Sequence, residues 1–255
     1  MADRPAWHAC AEIVEKGDPD RFAAAMLAPV SARAVLFPLY ALNVEVARAP
    51  WVTQEAMIAE MRLQWWHDAL GEIAGDGDVR RHEVTTPLAT VISPAQARLL
   101  QEAVEARRWD IYRDPFEDAA AFESYIRQTS GHVMSVAVES LGGAVTDNVQ
   151  QLAYAAGLAS YFRAVPELEA RGRRPLVDGR PEAVVALAKD ALGQLDAVRL
   201  RDVAPAARPA LYPAALARPI LKAVCRDPSM LKDTTLVLAP IKRSVRFIAA
   251  RLGKY

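Results

Sequence analysis

The arginine side chains of this sequence are its best candidates for binding a small anion. The run RGRR at 171–174 could hold a phosphate, and a solvated loop explains it equally well. Arg48 and Arg163 lie in two further, mostly apolar stretches. A guanidinium group binds phosphate or carboxylate through paired hydrogen bonds and needs no metal to do so. These arginines therefore predict either anion binding or ion pairs with acids such as Glu45 and Glu167.

The residues that could bind a metal ion are not spaced so that they would share one. Asp68, Asp110 and Glu167 are candidates, but no two of them have the separation that would place them on one helical face. His67 and His132 have no second histidine four residues on, so a surface or capping role suits them better. The sequence also contains no HxxxH, CxxC, GxSxG or glycine-rich phosphate loop. We therefore assign no metal ligand and no catalytic residue.

The balance of charges argues against nucleic acid as a partner. Lys plus Arg and Asp plus Glu both number 31, whereas a protein that binds nucleic acid needs an excess of basic residues. Apolar residues make up 52% of the chain and only 12 residues are glycine, a composition typical of a helical protein with an ample core. The two cysteines, Cys10 and Cys225, suit a reducing compartment.

The distribution of apolar residues predicts a cytoplasmic protein. The first residues, MADRPAWHACAEIVEKGD, lack the apolar centre of a signal peptide. The longest apolar run, 34–43, is interrupted by Pro38 and is too short to span a bilayer. The stretch 242–255, KRSVRFIAARLGKY, alternates basic and apolar residues at helical spacing. It predicts either peripheral contact with the inner face of a membrane or a terminal helix docked on the core.

The charged residues described above lie in or beside predicted helices. In the central one, 29–51, Leu36, Tyr40 and Val44 recur at four-residue steps, and Pro38 predicts a kink. Another helix is expected to begin after Asp18, because an aspartate followed by proline is a helix start. Further helices are predicted at 53–75, 93–112, 118–141, 148–172, 181–200 and 232–252. They indicate one all-α domain over 1–255, with 1–17 as an N-terminal segment.

In the helix 29–51, Arg33 precedes the pair Tyr40-Ala41 by seven residues, and in the helix 148–172 the pair Phe162-Arg163 is followed by Arg171-Gly172-Arg173. With these motifs the two helices resemble the signature helices of the squalene/phytoene synthases, which join two prenyl diphosphates head to head. In the first, Arg33 and the pair Tyr40-Ala41 match the family, but its two aspartate positions fall on Ala47 and Trp51. Asp110 matches a family aspartate farther along the chain. The resemblance implies a single-domain bundle of the isoprenoid (terpenoid) synthase type.

The second signature lies at 148–172 and departs from the family in the same way. Phe162-Arg163 and the segment Arg171-Gly172-Arg173 fit, and Glu167 is kept. The two aspartate positions read Ala164 and Leu168, and Pro166 is expected to end or bend the helix there.

The resemblance implies that the missing aspartates matter for catalysis. In the active enzymes, carboxylates on two facing helices hold the Mg²⁺ ions that neutralise the departing diphosphate, and losing them costs orders of magnitude in rate. Glu45 is not an obvious substitute, because a residue two positions from Ala47 points away from that face on an ideal helix. Arg48 and Arg163 would instead put positive charge near the former metal site.

Within the family the sequence resembles an aspartate-poor branch that includes an assembly factor of mitochondrial respiratory complex I. The shared patterns are the run Tyr40-Ala41-Leu42-Asn43-Val44-Glu45 and the run Arg163-Ala164-Val165-Pro166. The resemblance implies a non-catalytic binding or assembly protein without a cofactor. Its partner would be a subunit of a respiratory complex or an isoprenoid ligand.

Two alternatives stay open at this point. One is a working Mg²⁺-dependent prenyl transferase, and the other is a carrier that binds an isoprenoid or lipid in the old cavity. Candidate residues of the cavity or of an anion site are Arg33, Tyr40, Asn43, Arg48, Asp110, Arg163, Glu167, Arg171 and Arg173.

Overall fold

Apolar side chains from helices throughout the chain meet in one continuous core. The computed structural model describes residues 5–200, 203–232, 236 and 238–253. Within these ranges the regular structure is helical and no strand occurs. The predicted all-α fold is therefore confirmed for the part of the chain that is described.

The first helices build one wall of the central cavity. They are α1 (His8–Gly17), α2 (Pro19–Met26) and α3 (Val30–Arg48), which continues as a 3₁₀ turn, Ala49–Trp51. As predicted, the Asp18 side chain caps α2 and accepts a hydrogen bond from the Arg21 backbone N–H at 2.9 Å. Pro38 lies inside α3 without ending it, because this part of the helix is held by deep burial on several sides.

The segment Val30–Trp51 is also apolar and long enough to cross a membrane, with a mean hydropathy of 1.3. More than half of that window, 56%, is buried inside the protein. Burial in the core explains the apolar character of this segment, since Leu36, Phe37 and Leu39 have no exposed surface.

The helices in the middle of the chain are shorter and more often interrupted by turns than the sequence predicts. It holds α4 (Ala56–Gly71), α5 (Thr85–Leu88), α6 (Pro94–Ala106), α7 (Ala119–Ile126) and α8 (His132–Ser140). Wider π turns follow α4 and α7 at Glu72–Asp76 and Arg127–Gly131, and a 3₁₀ turn follows α6 at Arg107–Asp110. Helix α4 begins at Ala56 instead of the predicted residue 53, because the Thr53 hydroxyl accepts from the Glu55 N–H within a turn that precedes the helix.

The last part of the chain supplies the opposite wall and the outer layer. It consists of α9 (Asp147–Ala170), α10 (Pro181–Ala197), α11 (Ala217–Arg226) and α12 (Pro240–Arg251), with 3₁₀ turns at Arg208–Leu216 and Pro228–Leu231. The final helix begins later than predicted, because Pro240 starts it at a first-turn position. Residues 233–235 and 237 of that prediction lie outside the described residues.

Pro166, expected to end or bend the helix, does not end it. Helix α9 runs through it to Ala170, and the chain then turns at Gly172, where φ is 77°. The proline costs one hydrogen bond, and the burial of Phe162 and Val165 on either side keeps the helix in place. Earlier in α9, Gly157 allows close packing, because a Cβ there would lie 2.7 Å from the Cβ of Ser130.

Candidate functional site

The four positions at which the family carries aspartate meet around one cavity of about 990 Å³. Ala47 at the end of α3 and Trp51 in the following turn contribute from one side, and Ala164 and Leu168 of α9 contribute from the other. The sequence pattern therefore locates two facing walls correctly. It could not say whether the space between them is open, and the structure shows that it is.

Most carboxylates of this cavity are already neutralised by an arginine. Six acidic residues line it, and four of them form an ion pair with an arginine. The pairs are Asp18 with Arg21 at 2.8 Å, Glu45 with Arg48 at 3.0 Å, Asp110 with Arg107 at 3.0 Å and Glu167 with Arg171 at 2.5 Å. These acids lie on different elements and each faces its own cation.

This donor set does not fit a magnesium site. Mg²⁺ requires oxygen ligands in near-octahedral order, and the family supplies them as aspartates four residues apart. Among the residues that the structure describes, no three His, Cys, Asp or Glu side chains are grouped so that they could hold a metal ion. The side chains of Ala47, Trp51, Ala164 and Leu168 offer no ligand atom at the positions where the family has one.

A buried polar cluster forms the floor of the cavity. Asp110, with 2% of its surface exposed, accepts a hydrogen bond from the Tyr125 hydroxyl at 2.9 Å and another from Arg107 at 3.0 Å. Arg107 also donates to the Tyr125 oxygen at 2.8 Å. Burial raises the pKa of Tyr125 well above its ordinary value. Burial alone would lower the pKa of Arg107, but Tyr125 and Asp110 together raise it, so the guanidinium stays charged.

Two arginine side chains contact the ring of Trp51 at the rim of the cavity. The guanidinium carbon of Arg171 lies 4.6 Å from the centre of the Trp51 ring, and that of Arg173 lies 5.4 Å away. Arg173 also stacks on Trp109 at 5.1 Å and donates to the backbone oxygens of Trp109 and Asp110. Burial lowers the pKa of Arg173. A tryptophan at a former aspartate position thus joins α3 to the segment after α9 through cation–π contacts, without a metal.

The predicted site residues divide into two groups. Asn43, Arg48, Asp110, Glu167 and Arg171 line the cavity. The other four lie elsewhere: Arg173 is buried beneath the rim, Tyr40 and Arg163 face a smaller adjoining cavity of about 60 Å³, and Arg33 lines neither cavity.

Arg33 is corrected from a cavity residue to a structural one. It stands in the first turn of α3, and its side chain donates to the backbone oxygens of Ala28 at 2.9 Å and Met26 at 2.7 Å. Those carbonyls belong to the end of α2 and the turn after it, where helical partners are missing. Arg33 therefore closes the α2–α3 turn.

Arg163 also differs from expectation. It pairs with Asp20 of α2 at 2.6 Å instead of with Glu45, Glu167 or solvent. Asp20 accepts from Arg243 of α12 as well, at 2.9 Å, so one carboxylate joins three helices. Glu45, predicted to point away from the cavity, lines it instead, because the cavity opens around the last turn of α3 and admits a wide arc of that helix.

Sequence reasoning missed Arg107, which the cavity floor depends on. Its signal was present, because Arg107 stands three residues before Asp110, a spacing at which opposite charges meet on a helical turn. The ion pair between Arg21 and Asp18 was missed as well, although Arg21 follows the capping Asp18 by the same three residues. Neither pair resembles a ligand site, and both were therefore overlooked.

The fold and the two facing walls define a protein of the isoprenoid-synthase type. The sequence profile of the squalene/phytoene synthases matches residues 14–178, and the chain belongs to that family. It is similar in structure to a dehydrosqualene synthase, with a TM-score of 0.76, 16% identity and coverage of 97% of this chain and 96% of the other. A squalene synthase of Alicyclobacillus acidocaldarius gives a TM-score of 0.57 at 15% identity, with coverage of 97% and 89%. At these identities the likeness concerns the fold.

Curated relatives carry the name of an assembly factor. The chain is 29% identical over 178 residues to the Drosophila melanogaster homolog of NADH dehydrogenase (ubiquinone) complex I, assembly factor 6, covering 66% of this chain and 53% of that protein. The human assembly factor 6 is 25% identical over 147 residues, covering 53% and 41%. The chain thus spans about half the length of the curated relatives it matches. The predicted family and branch are confirmed.

Proposed function

We propose that this protein is a non-catalytic assembly factor that acts on a respiratory complex, with an NADH dehydrogenase complex as the first candidate. Relatives from fly and human that bear the name of a complex I assembly factor support this partner. A cytoplasmic position, close to the inner face of the membrane that holds such a complex, goes with this role.

The observation that carries the non-catalytic part is the chemistry of the cavity walls. Ionising an allylic diphosphate needs strong neutralisation of the leaving group, and metal ions held by free carboxylates usually supply it. Here Ala47 and Ala164 stand at two of the required positions, and Glu45 and Glu167 are each paired with an arginine. A diphosphate would also have to displace a carboxylate from each of these arginines before it could bind.

The assembly role is tested in the native host. Cells that lack the chain should accumulate incomplete NADH dehydrogenase complex and lose its activity, and the wild-type chain should restore both. An affinity-tagged chain should capture the incomplete complex and not the mature complex, as quantified by mass spectrometry of the subunits recovered. Normal assembly of the complex in cells without the chain would contradict the proposal.

The absence of catalysis is tested separately on the pure protein. Incubation with farnesyl or geranylgeranyl diphosphate and Mg²⁺ should release no diphosphate above the rate without protein. Release that requires Mg²⁺ and stops with EDTA would establish a prenyl transferase and overturn this part of the proposal.

A second candidate function, binding of an isoprenoid or other lipid without turnover, is favoured by the size of the open cavity. About 990 Å³ is enough for a drug-sized or larger ligand. Chain purified from the native host should then carry an apolar ligand that mass spectrometry detects. Ala47→Trp together with Ala164→Trp should fill the cavity and remove the ligand, whereas Ala56→Trp on the exposed start of α4 should not.

A further inference from the structure

The inner face of α12 attaches this helix firmly to the rest of the protein. Phe247 and Ala250 have 1% of their surface exposed and belong to the core. On the same side, Arg243 donates to Asp20 of α2 at 2.9 Å. The helix packs against the 3₁₀ turn Arg208–Leu216. The contacts that hold α12 on the core are thus all made by its inner face.

The outer face of α12 is unexpectedly apolar. Its large apolar side chains follow one another at steps of four, three and four residues, and their exposed fractions are 80% for Ile241, 59% for Val245, 51% for Ile248 and 72% for Leu252. On an ideal helix these positions fall within an arc of about 60°, opposite the core face. Single exposed apolar residues are common on protein surfaces, but four in one stripe form a patch that indicates an interaction.

Positive charges border this apolar stripe on both sides. Lys242 and, farther round the helix, Arg246 lie on one side of it, and Arg251 lies on the other. From Pro240 to Gly253 the sequence contains no Asp or Glu. Among the described residues, none of these three cations forms an ion pair, in contrast to Arg243 on the inner face. The outward surface of α12 therefore combines exposed apolar side chains with unneutralised positive charge.

We infer that the outer face of α12 binds the surface of an anionic lipid bilayer. A helix of this kind lies in the interface with its apolar stripe among the acyl chains, while long basic side chains extend sideways to the lipid phosphates. Acidic lipid head groups complement the positive edges along the full length of the stripe, which is the reason for preferring a lipid surface to a protein groove. This inference goes beyond the assembly role and does not depend on it.

The inference is tested by vesicle flotation with the full chain. The protein should float with vesicles of phosphatidylcholine and phosphatidylglycerol, bind pure phosphatidylcholine vesicles much less, and dissociate at high salt. Ile241→Asp with Val245→Asp should reduce the bound fraction at least about tenfold, because the apolar contact is lost and negative charge is added. Lys242→Gln with Arg246→Gln should reduce binding by about thirtyfold, from about 1 kcal/mol for each basic residue near the surface.

The matched control lies on another helix. Met57→Asp with Met61→Asp changes two apolar residues of α4 that are 76% and 67% exposed, and binding should stay within about twofold of the wild type because these residues belong to a different helix from the proposed lipid contact. All variants substitute exposed side chains, and circular dichroism must show the helical content of the wild type. Equal binding to both kinds of vesicle, no binding to either, or an equal loss in the α4 control would overturn the inference. Capture of a protein partner that depends on Val245, without vesicle binding, would assign the stripe to protein contact and overturn it too.

Discussion

Arginines gather in two regions of this protein, and the regions differ in what neutralises them. Around the cavity, Arg48, Arg107 and Arg171 each face a carboxylate at 3.0 Å or less. On α12, Arg246 and Arg251 stand beside exposed apolar side chains, without an ion pair among the residues described. The cavity arginines are therefore neutralised within the protein, whereas Arg246 and Arg251 remain available for the proposed contact with lipid.

The difference follows from the cost of removing a charge from water. A guanidinium that is partly buried needs a carboxylate or an aromatic ring close by, or the desolvation penalty is not repaid. A guanidinium on the surface pays no such penalty and gains little from a partner. Arg48 and Arg171 are themselves 57% and 41% exposed. The comparison therefore predicts that substitutions at the buried floor of the cavity and around Trp51 change stability, whereas substitutions on α12 change binding.

The largest effect is expected at the cavity floor. Asp110→Ala leaves Arg107 beside Tyr125 without its carboxylate, and we expect a loss of about 3 kcal/mol in the free energy of unfolding, because a buried charge loses its partner. Urea unfolding at neutral pH measures this loss. Asp114→Ala, at an exposed position of the next loop, is the control and should change stability by less than about 0.5 kcal/mol. Equal effects of the two substitutions would break the comparison.

A smaller loss is expected at the cavity rim. Trp51→Ala removes the ring that Arg171 and Arg173 contact, at an expected cost of about 1–2 kcal/mol for two partly shielded cation–π contacts. Trp51→Phe keeps a weaker aromatic face and should lose roughly half as much. Thermal unfolding followed by circular dichroism ranks the three proteins. If the phenylalanine and alanine variants melt together, the cation–π contacts contribute nothing.

The pair of Glu72 and Arg80 is an intermediate case between these regions. Arg80 hydrogen-bonds the Glu72 carboxylate and thereby lowers its pKa. A carboxyl with a lowered folded-state pKa stabilises the protein above its unfolded pKa and loses this contribution as pH falls through the folded value. Glu72→Gln should therefore cost up to about 1 kcal/mol at neutral pH and progressively less in acid. Urea unfolding across the acid range tests this, with Glu117→Gln at an exposed position as the control for the same substitution elsewhere.

The smallest effect on stability is expected on α12. Lys242→Gln with Arg246→Gln should change the free energy of unfolding by less than about 0.5 kcal/mol, because both side chains are exposed. Urea unfolding under the conditions used for Asp110→Ala gives a direct comparison. A loss comparable to that of the cavity variants would mean that these cations are structural and that the two regions do not differ in kind.

Local signals in the sequence predicted much of the fold. Asp18 followed by proline predicts a helix start that the structure contains, and the helix predicted from residue 93 begins where expected, with Ser93 as its cap. The breaks inside the predicted helices were harder to foresee, because the π turn at Arg127–Gly131 joins α7 directly to α8 and no proline marks it. Pro166 misled for the opposite reason, since burial of its neighbours outweighs one missing hydrogen bond.

The candidate site was predicted in part. The sequence located Ala47, Trp51, Ala164 and Leu168 on two walls that meet, because helical spacing and family resemblance both refer to positions along the chain. The partners of Arg33 and Arg163 could not be read in this way. Arg163 pairs with a residue 143 positions away, and no local pattern carries that information.

The sequence by itself determined that this chain is helical, belongs to its family and lacks the family's four carboxylates, because residue type and spacing are properties of the chain alone. Only the tertiary structure decided which acid neutralises each arginine, how Trp51 is held, and which face of α12 stays uncovered. These depend on the distance between side chains on different helices and on how much water each one loses, and both are set when the helices pack together.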